Sequence, residues 1–316
     1  MRIATIDLGT NTCHLLIAEV KGSSHEDIYH ETFAVKLGEG GITENKISPP
    51  ATNRAVTAFE NYLSVCKKHN VEKLYATATA AVRQANNKNE IIDQIKSHTG
   101  IILNVIDGDT EASLIYEGVK LALPQESESA LMMDIGGGSV EFIITMNGEK
   151  VWQKSFPTGA AFLLEKFKPP DPISELEVEL INTFLMDEWI ELFEHISNHS
   201  IKHFIGASGS FQTLCDLHNK QLNSVAISTA INNTVFSEIY HLLLKSDRHS
   251  RLKLDGMKAM RVDMIVLSVI MIKLILDKVN CDNIFYSNFA LKEGLCNLLL
   301  LEPDNLIISN FNYLKP

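Results

Sequence analysis

One pattern occurs twice in this chain and constrains its fold more than any other feature. Residues 3–20 read IATIDLGTNTCHLLIAEV and residues 129–146 read SALMMDIGGGSVEFIITM. Each is an apolar run ending in Asp, a short Gly-bearing turn closed by a hydroxyl residue, and a second apolar run. Without a gap, Asp7 aligns with Asp134, Gly9 with Gly136, Thr12 with Ser139, Leu15 with Phe142 and Leu16 with Ile143. Apolar runs of this kind, separated by a Gly-containing turn, predict a strand, a tight turn and a return strand. Two copies within 316 residues predict two domains built on one plan.

The turns also carry chemistry. Without Cβ atoms, Gly9 and Gly136 to Gly138 let backbone N–H groups approach an anion closely and point the same way, which is how a loop cradles phosphate oxygens. The Asp before each turn would repel phosphate directly, so Asp7 and Asp134 are expected to hold a hydrated Mg²⁺ that bridges the two. For one copy alone, an ordinary hairpin with Asp in its turn is the simpler reading. The duplication shifts the balance to a two-jawed phosphate clamp.

With 45% apolar and 21% charged residues, the chain can bury a sizeable core and global disorder is excluded. A net charge of −11 argues against a general nucleic-acid binder, whose affinity comes from clustered Lys and Arg. It leaves room for an anionic substrate held by metal, backbone amides and a few local cations. Cys13, Cys66, Cys215, Cys281 and Cys296 are odd in number and widely spaced, which reads as reduced core thiols in a cytoplasmic protein. Met1 leads directly into a strand bearing Asp7, so no signal peptide is expected. The longest apolar stretch, Met264 to Leu276, is too short to span a bilayer, and no membrane association is expected.

Along the chain, residues 28–37 read as a strand, and Gly38, Gly40 and Gly41 as a flexible flap. Ser48 with Pro49 and Pro50 starts a helix that buries Val56, Phe59, Leu63 and Cys66. A strand at 72–79 precedes AVRQANN, and Asn87 is placed to cap a helix ending at Gly100. A strand at 102–106 and a helix opened by DGDTEASLIYEGV follow. After the second hairpin come a strand at 149–157 and a capping box of Ser174 and Glu177. One helix then buries Ile181, Leu185, Trp189, Leu192 and Ile196. A strand at 202–206 runs into GASGS, long helices fill 235–279, a last strand covers 282–286, and an apolar helix reaches Pro303. His195, His199 and His203 have metal-like spacing but span a helix end, a loop and a strand, so no zinc site is expected. The order of elements predicts an α/β protein of two RNase H-like domains with an interdomain cleft. The N-terminal domain is placed at 1–120, the C-terminal one at 121–299, and a C-terminal helix of about 300–316 is expected to return to the first.

These motifs, in this order and over nearly the whole chain, resemble the exopolyphosphatase/guanosine pentaphosphate phosphohydrolase (Ppx/GppA) family of the actin-like ATPase superfamily. IDLGTNT resembles its first phosphate loop, VKLGEG its Arg-Leu-Gly-Glu-Gly segment, and ATAAVRQANN its Ala-Thr-x-Ala-x-Arg segment, which carries Arg83. VIDGDTEASLIYEGV is similar to the segment with the catalytic Glu, here Glu111. DIGGGSVE resembles the second phosphate loop, GASGS the third Gly-bearing turn and LKEGL the closing helix. Lys36, Thr110, Ala290 and Lys292 depart from the usual pattern. The chain also stops after the two core domains, where longer members continue into a further helical domain.

The resemblance implies an exopolyphosphatase releasing terminal phosphate from inorganic polyphosphate, with guanosine pentaphosphate (pppGpp) as the alternative substrate. A non-hydrolysing actin-like nucleotide-binding protein or a kinase is the alternative of another class. The implied phosphate contacts are Gly9, Thr10, Asn11, Thr12, Gly136, Gly137, Gly138, Ser139, Gly209 and Ser210. The implied metal ligands are Asp7, Asp134 and Glu141, for Mg²⁺ or Mn²⁺. Glu111 would orient or deprotonate the attacking water and Arg83 would brace the phosphoryl group. A homodimer is left open as a partner reading.

Overall fold

The computed structural model describes residues 1–21, 24–122, 129–218, 228–301 and 309–310. Strands β1 (Arg2–Leu8), β2 (Thr12–Lys21) and β3 (Ser24–Ala34) are followed by α1 (Pro49–Lys68), β4 (Lys73–Ala78), α2 (Ala80–Gln84) and α3 (Lys88–Thr99). Next come β5 (Leu103–Val105), α4 (Gly108–Ala122), β6 (Ala130–Ile135), β7 (Val140–Met146) and β8 (Glu149–Phe156). Helices α5 (Ala160–Phe167), α6 (Glu175–Glu188) and α7 (Ile190–Asn198) lead to β9 (His203–Ala207), α8 (Ser208–His218), β10 (Ser228–Asn232), α9 (Asn233–Lys245) and α10 (Arg248–Arg251). Helix α11 (Ile265–Leu276), β11 (Asn283–Ser287), α12 (Leu291–Leu301) and β12 (Ser309–Asn310) complete the fold.

Contacts divide the chain into two compact units, one of Met1–Gly118 with Leu291–Pro316 and one of Val119–Ala290. The first sheet runs β3-β2-β1-β4, with β5 and β12 both pairing β4; the second runs β8-β7-β6-β9-β11-β10. In both, an antiparallel three-stranded meander is extended by parallel strands, through β4 and β5 in one and β9 and β11 in the other. The α/β, RNase H-like plan read from the duplicated hairpin is therefore present twice. β1 and β6 are central strands buried along nearly their whole length, as strands covered on both faces must be.

In the first unit, alternate β1 and β2 residues Ala4, Ile6, Leu8, Cys13, Leu15 and Ile17 pack with Ala55, Phe59 and Tyr62 of α1 and Ile91 and Ile95 of α3. The opposite face of β1 meets α12, where Thr5 Oγ1 donates to the Lys292 carbonyl at 3.3 Å. In the second unit, Leu131, Met133, Phe142 and Ile144 pack against helices α5 to α9 and α11. Helix α11 is apolar all round and almost wholly buried, which is the pattern of a core helix. No helix among the described residues is long and apolar enough to cross a membrane.

Several expectations need correction. The 174–198 stretch is two helices, broken at Trp189 (φ −100°, ψ 20°), whose buried indole N–H donates to Thr158 Oγ1 at 2.9 Å. That tertiary bond and the aromatic contacts of Trp189 with Phe142 and Phe156 outweigh helical continuity. Residues 235–279 hold α9, the single turn α10, irregular chain and α11 rather than unbroken long helices. Asn87 does not cap α3 with its side chain; its amide bonds the Ile47 N–H and C=O, both at 3.0 Å. Residues 282–286 are not the last strand, since Ser309–Asn310 pair with β4. The same pairing corrects the expected 300–316 helix, since Ser309–Asn310 are strand; residues 302–308 and 311–316 lie outside the described residues.

Gly38 to Gly41 are not a free flap. Their backbone is tied by Gly38 N to Thr10 O, Ile42 N to Gly38 O and Lys46 N to Gly41 O, at 2.9 to 3.3 Å.

Candidate active site

The two turns have the same internal geometry. Gly9 N–H donates to the Thr12 carbonyl at 2.9 Å, and Gly136 N–H to the Ser139 carbonyl at 3.0 Å. In both hairpins the carboxylate residue is the last but one of its strand and faces a partner at the equivalent position, Asp7 opposite His14 and Asp134 opposite Glu141. Thr10, Asn11, Thr12 and Ser139 are all buried.

What distinguishes the loops from ordinary turns is where their carbonyls go. The Asn11 carbonyl accepts from Val35 and Lys36 N–H at 3.0 and 2.9 Å, and the Thr10 carbonyl from Gly38 N–H at 3.3 Å. The Gly136 carbonyl accepts from Ala160 N–H at 3.0 Å, and the Gly137 carbonyl from Ala161 and Phe162 N–H at 2.8 and 3.1 Å. In a planar trans peptide the N–H points opposite to its own C=O. Tying back the carbonyls of residues 10, 11, 136 and 137 therefore turns the N–H groups of Asn11, Thr12, Gly137 and Gly138 away from their anchors. That makes each loop a concave anion cradle.

The rest of the first unit's chemistry gathers at the same carboxyl edge of the sheet, just after β1, β4 and β5. Arg83, in the short α2 after β4, donates from Nη1 to Glu111 Oε2 at 2.7 Å and to the Ile106 carbonyl at 3.1 Å. Glu111 is only 6% exposed. Its turn is fixed by Asp107, which precedes α4 and accepts from the Thr110 N–H at 2.7 Å. That backbone bond holds the Asp107 carboxyl below its ordinary range, with the more distant Arg83 charge adding to it. The structure thus brings the two sequence-predicted catalytic residues into direct contact. His14 Nε2 lies 2.9 Å from Thr12 Oγ1 and its Nδ1 2.9 Å from Thr32 Oγ1, so it braces the first loop's closing hydroxyl.

In the second unit, Asp134 Oδ2 accepts from Ser208 Oγ at 2.6 Å and Glu141 Oε1 from Ser155 Oγ at 2.7 Å. Ser208 joins β9 to α8 in the left-handed region (φ 66°), a strained conformation for a residue with a side chain, and its hydroxyl reaches Asp134 from there. Gly209 follows, and a Cβ on it would lie 2.0 Å from Arg261 Nη2. Ser210, predicted to touch phosphate, instead shares a hydrogen bond with Ser268 of α11 at 2.9 Å. Arg261 lines a cavity of about 10 Å³ with Gly136, Gly137 and Ser210, room for about one water. Desolvation lowers the Arg261 pKa while the Asp134 charge opposes it, and a guanidinium stays protonated through such a shift.

Sequence reasoning missed four of these residues. Asp107 had a readable signal, an Asp just before a helical pattern. Ser208 sat unremarked inside a recognised Gly-bearing turn. Arg261, just before α11, and Gly159, just before α5 and so close to the second loop that a Cβ on it would lie 2.5 Å from Gly137 C and O, had no local signal, because their roles arise from tertiary packing against that loop.

A divalent metal of the Mg²⁺ kind takes hard oxygen donors. Asp134 and Glu141, buried cross-strand neighbours, offer only hard carboxylate oxygens. No group of three or more His, Cys, Asp or Glu suited to a metal occurs among the described residues. Mg²⁺ needs no such cage: it keeps most of its waters and takes one or two carboxylates together with substrate phosphates. The residues fit that kind of ion.

The sequence model of the Ppx/GppA phosphatase family matches residues 16–302. A bifunctional 3-dehydroquinate synthase/phosphatase of Fusobacterium nucleatum is 29% identical over 298 residues, which take in 90% of this chain and 44% of that protein. The chain thus spans less than half the length of that relative. Exopolyphosphatase 1 of Mycobacterium tuberculosis is 23% identical over 299 residues, covering 93% of this chain and 87% of that one. The crystal structure of an exopolyphosphatase from Cytophaga hutchinsonii matches with a TM-score of 0.92 at 35% identity, over 97% of this chain and 99% of that one. That likeness gives the actin-like ATPase fold. The phosphatases of the matched family generally use a divalent metal.

Proposed function

The chain belongs to the Ppx/GppA phosphatase family and is a phosphoanhydride hydrolase, and from that premise we propose that it removes terminal phosphate from inorganic polyphosphate. Water attacks the terminal phosphorus, the bond from that phosphorus to the bridging oxygen breaks, and the shortened chain leaves with that oxygen. Glu111 orients the water and takes its proton. Arg83 holds the buried carboxylate in place and turns a remaining N–H toward the phosphoryl oxygens. The outward amides of Asn11, Thr12, Gly137 and Gly138 hold phosphate oxygens, with Gly9, Thr10, Gly136, Ser139 and Gly209 shaping their surroundings. Asp7 in the first unit, and Asp134 with Glu141 in the second, are the carboxylates that would serve Mg²⁺ or Mn²⁺, which supplies charge neutralisation when bound.

The observation that carries this reading is the 2.7 Å contact between buried Glu111 and Arg83, at the sheet edge that also bears the first cradle. The reading places the enzyme in the cytoplasm, consistent with five free, buried thiols. Guanosine pentaphosphate offers the same terminus to the same groups. Phosphate release measured in parallel on polyphosphate, guanosine pentaphosphate and ATP tests the substrate. Turnover confined to the nucleotides would overturn the polyphosphate assignment.

A further inference from the structure

Beyond the phosphate loops, the second unit holds an open cavity of about 230 Å³ between α5, the Pro169–Ile173 segment, α10 and the start of α11. Its walls are mostly apolar, with Leu164, Ile173, Val266 and Leu267 among them. Its polar lining is two arginines and two aspartates: Arg248, Arg251, Asp171 and Asp263.

Arg251 is the unusual member, because its side chain is only 4% exposed. Its Nε donates to the Val262 carbonyl at 3.1 Å, and its Nη1 to Asp171 Oδ1 at 2.7 Å and to the Ser246 carbonyl. Nη2 forms no hydrogen bond among the described residues. Arg248 repeats the pattern: its backbone N–H donates to Asp171 Oδ2 at 2.6 Å and its Nε to Asp263 Oδ1 at 2.7 Å, while its terminal nitrogens form none. These spare terminal N–H donors belong to side chains that line the open cavity, and guanidinium forks match carboxylate geometry.

We propose that this cavity binds a small monocarboxylate with an apolar body. The spare hydrogen-bonding capacity is in donors, so the ligand's head must be an acceptor. The four ionised lining groups sum to zero charge, and the two aspartates would repel a polyanion, so the cavity does not suit a phosphate chain. One negative charge on Arg251 Nη2 and Arg248, with a ring against Leu164, Ile173, Val266 and Leu267, meets both limits.

The test uses full-length, ¹⁵N-labelled protein and sodium benzoate as the probe, followed by NMR at the Arg251 Nε–Hε resonance and by calorimetry. A saturable shift with a Kd of about 1 mM is expected for a ligand of this size. Arg248→Gln removes the exposed donors, and Ile173→Trp fills the cavity from the segment before α6, with a thermal melt confirming that each variant is folded. Each should weaken benzoate about tenfold or more, and benzyl alcohol should bind about tenfold more weakly than benzoate to the unaltered protein. No saturable binding, benzoate binding that both variants retain, or orthophosphate displacing benzoate would each overturn the proposal. Binding is read directly, so these outcomes are independent of which phosphate compound the enzyme hydrolyses.

Discussion

Gly159→Ala is the most informative single change, because it tests whether α5 positions the second cradle while leaving every residue proposed to contact substrate unsubstituted. Gly159 is the residue before α5, and a Cβ built on it would lie 2.5 Å from both C and O of Gly137 and 2.6 Å from the Gly138 N. Ordinary contact begins near 3.4 Å, so backbone on one side must yield by about 1 Å. Such a shift moves the two outward amides relative to any phosphate they hold, and a misplacement of about 1 Å costs on the order of 100-fold in rate. The accompanying overpacking should cost about 1–3 kcal/mol of stability, or roughly 2–4 °C in Tm per kcal/mol for a unit of this size. Steady-state phosphate release gives kcat and KM, and a thermal melt shows whether the variant is folded. A folded variant with kcat/KM within about twofold of the parent would refute the claim that the helix sets the loop.

Glu111→Gln should lower kcat by about 10²–10⁴-fold while leaving KM within a few-fold, and unchanged single-turnover release would remove the assigned base. Arg83→Ala should cost stability as well as activity, because it strips the partner from a buried carboxylate; the roughly 3–5 kcal/mol of a broken buried pair is an upper bound, since the Arg83 side chain is 20% exposed. Arg83→Lys, read by the same melt, should recover part of that stability. Excess chelator should abolish phosphate release and added Mg²⁺ should restore it, with full activity in chelator contradicting the carboxylate role. Asp107→Ala should destabilise the protein by about 0.5–2 kcal/mol at neutral pH through loss of the cap on α4. The folded Asp107 carboxyl is held below its unfolded value, so its stabilisation is full above the ordinary carboxylate range and is lost as pH falls through the lower, folded value. Melts against pH should therefore show the gap between parent and variant closing only below about pH 4.

The parts of this fold that were legible in the sequence are those set by local periodicity. The two hairpins, the Pro-initiated α1 and the Gly100 C-cap in the left-handed region (φ 72°) are all decided within a few residues. What escaped reading was decided across the fold. The break at Trp189 follows from a hydrogen bond to Thr158, thirty-one residues away. Asn87 gave up its capping role for both backbone groups of Ile47. Ser210 looked like a loop hydroxyl until α11 placed Ser268 beside it. At the candidate site, Glu111 and Arg83 were nameable as types with roles, but their contact depends on β4 and β5 lying side by side.

The glycine content of the two loops is better explained by what packs behind them than by what binds in front. An anion needs oriented amides, and both turns offer amides whose carbonyls are tied back. The first turn does so with Thr10, Asn11 and Thr12, because its anchor is extended chain at Val35 to Gly38, itself held by Arg54 donating to the Val35 and Lys36 carbonyls at 2.7 and 2.8 Å. Crowding there is relieved on the anchor's side: a Cβ on Gly38 would sit 2.9 Å from Thr10 Cγ2. The second turn is anchored by a helix terminus, whose successive N–H groups converge on two adjacent carbonyls and draw Gly159 to within contact of the loop backbone. That approach leaves little room for side chains on either surface, so glycines appear on both. The threonines of the first loop are therefore no argument against phosphate binding there.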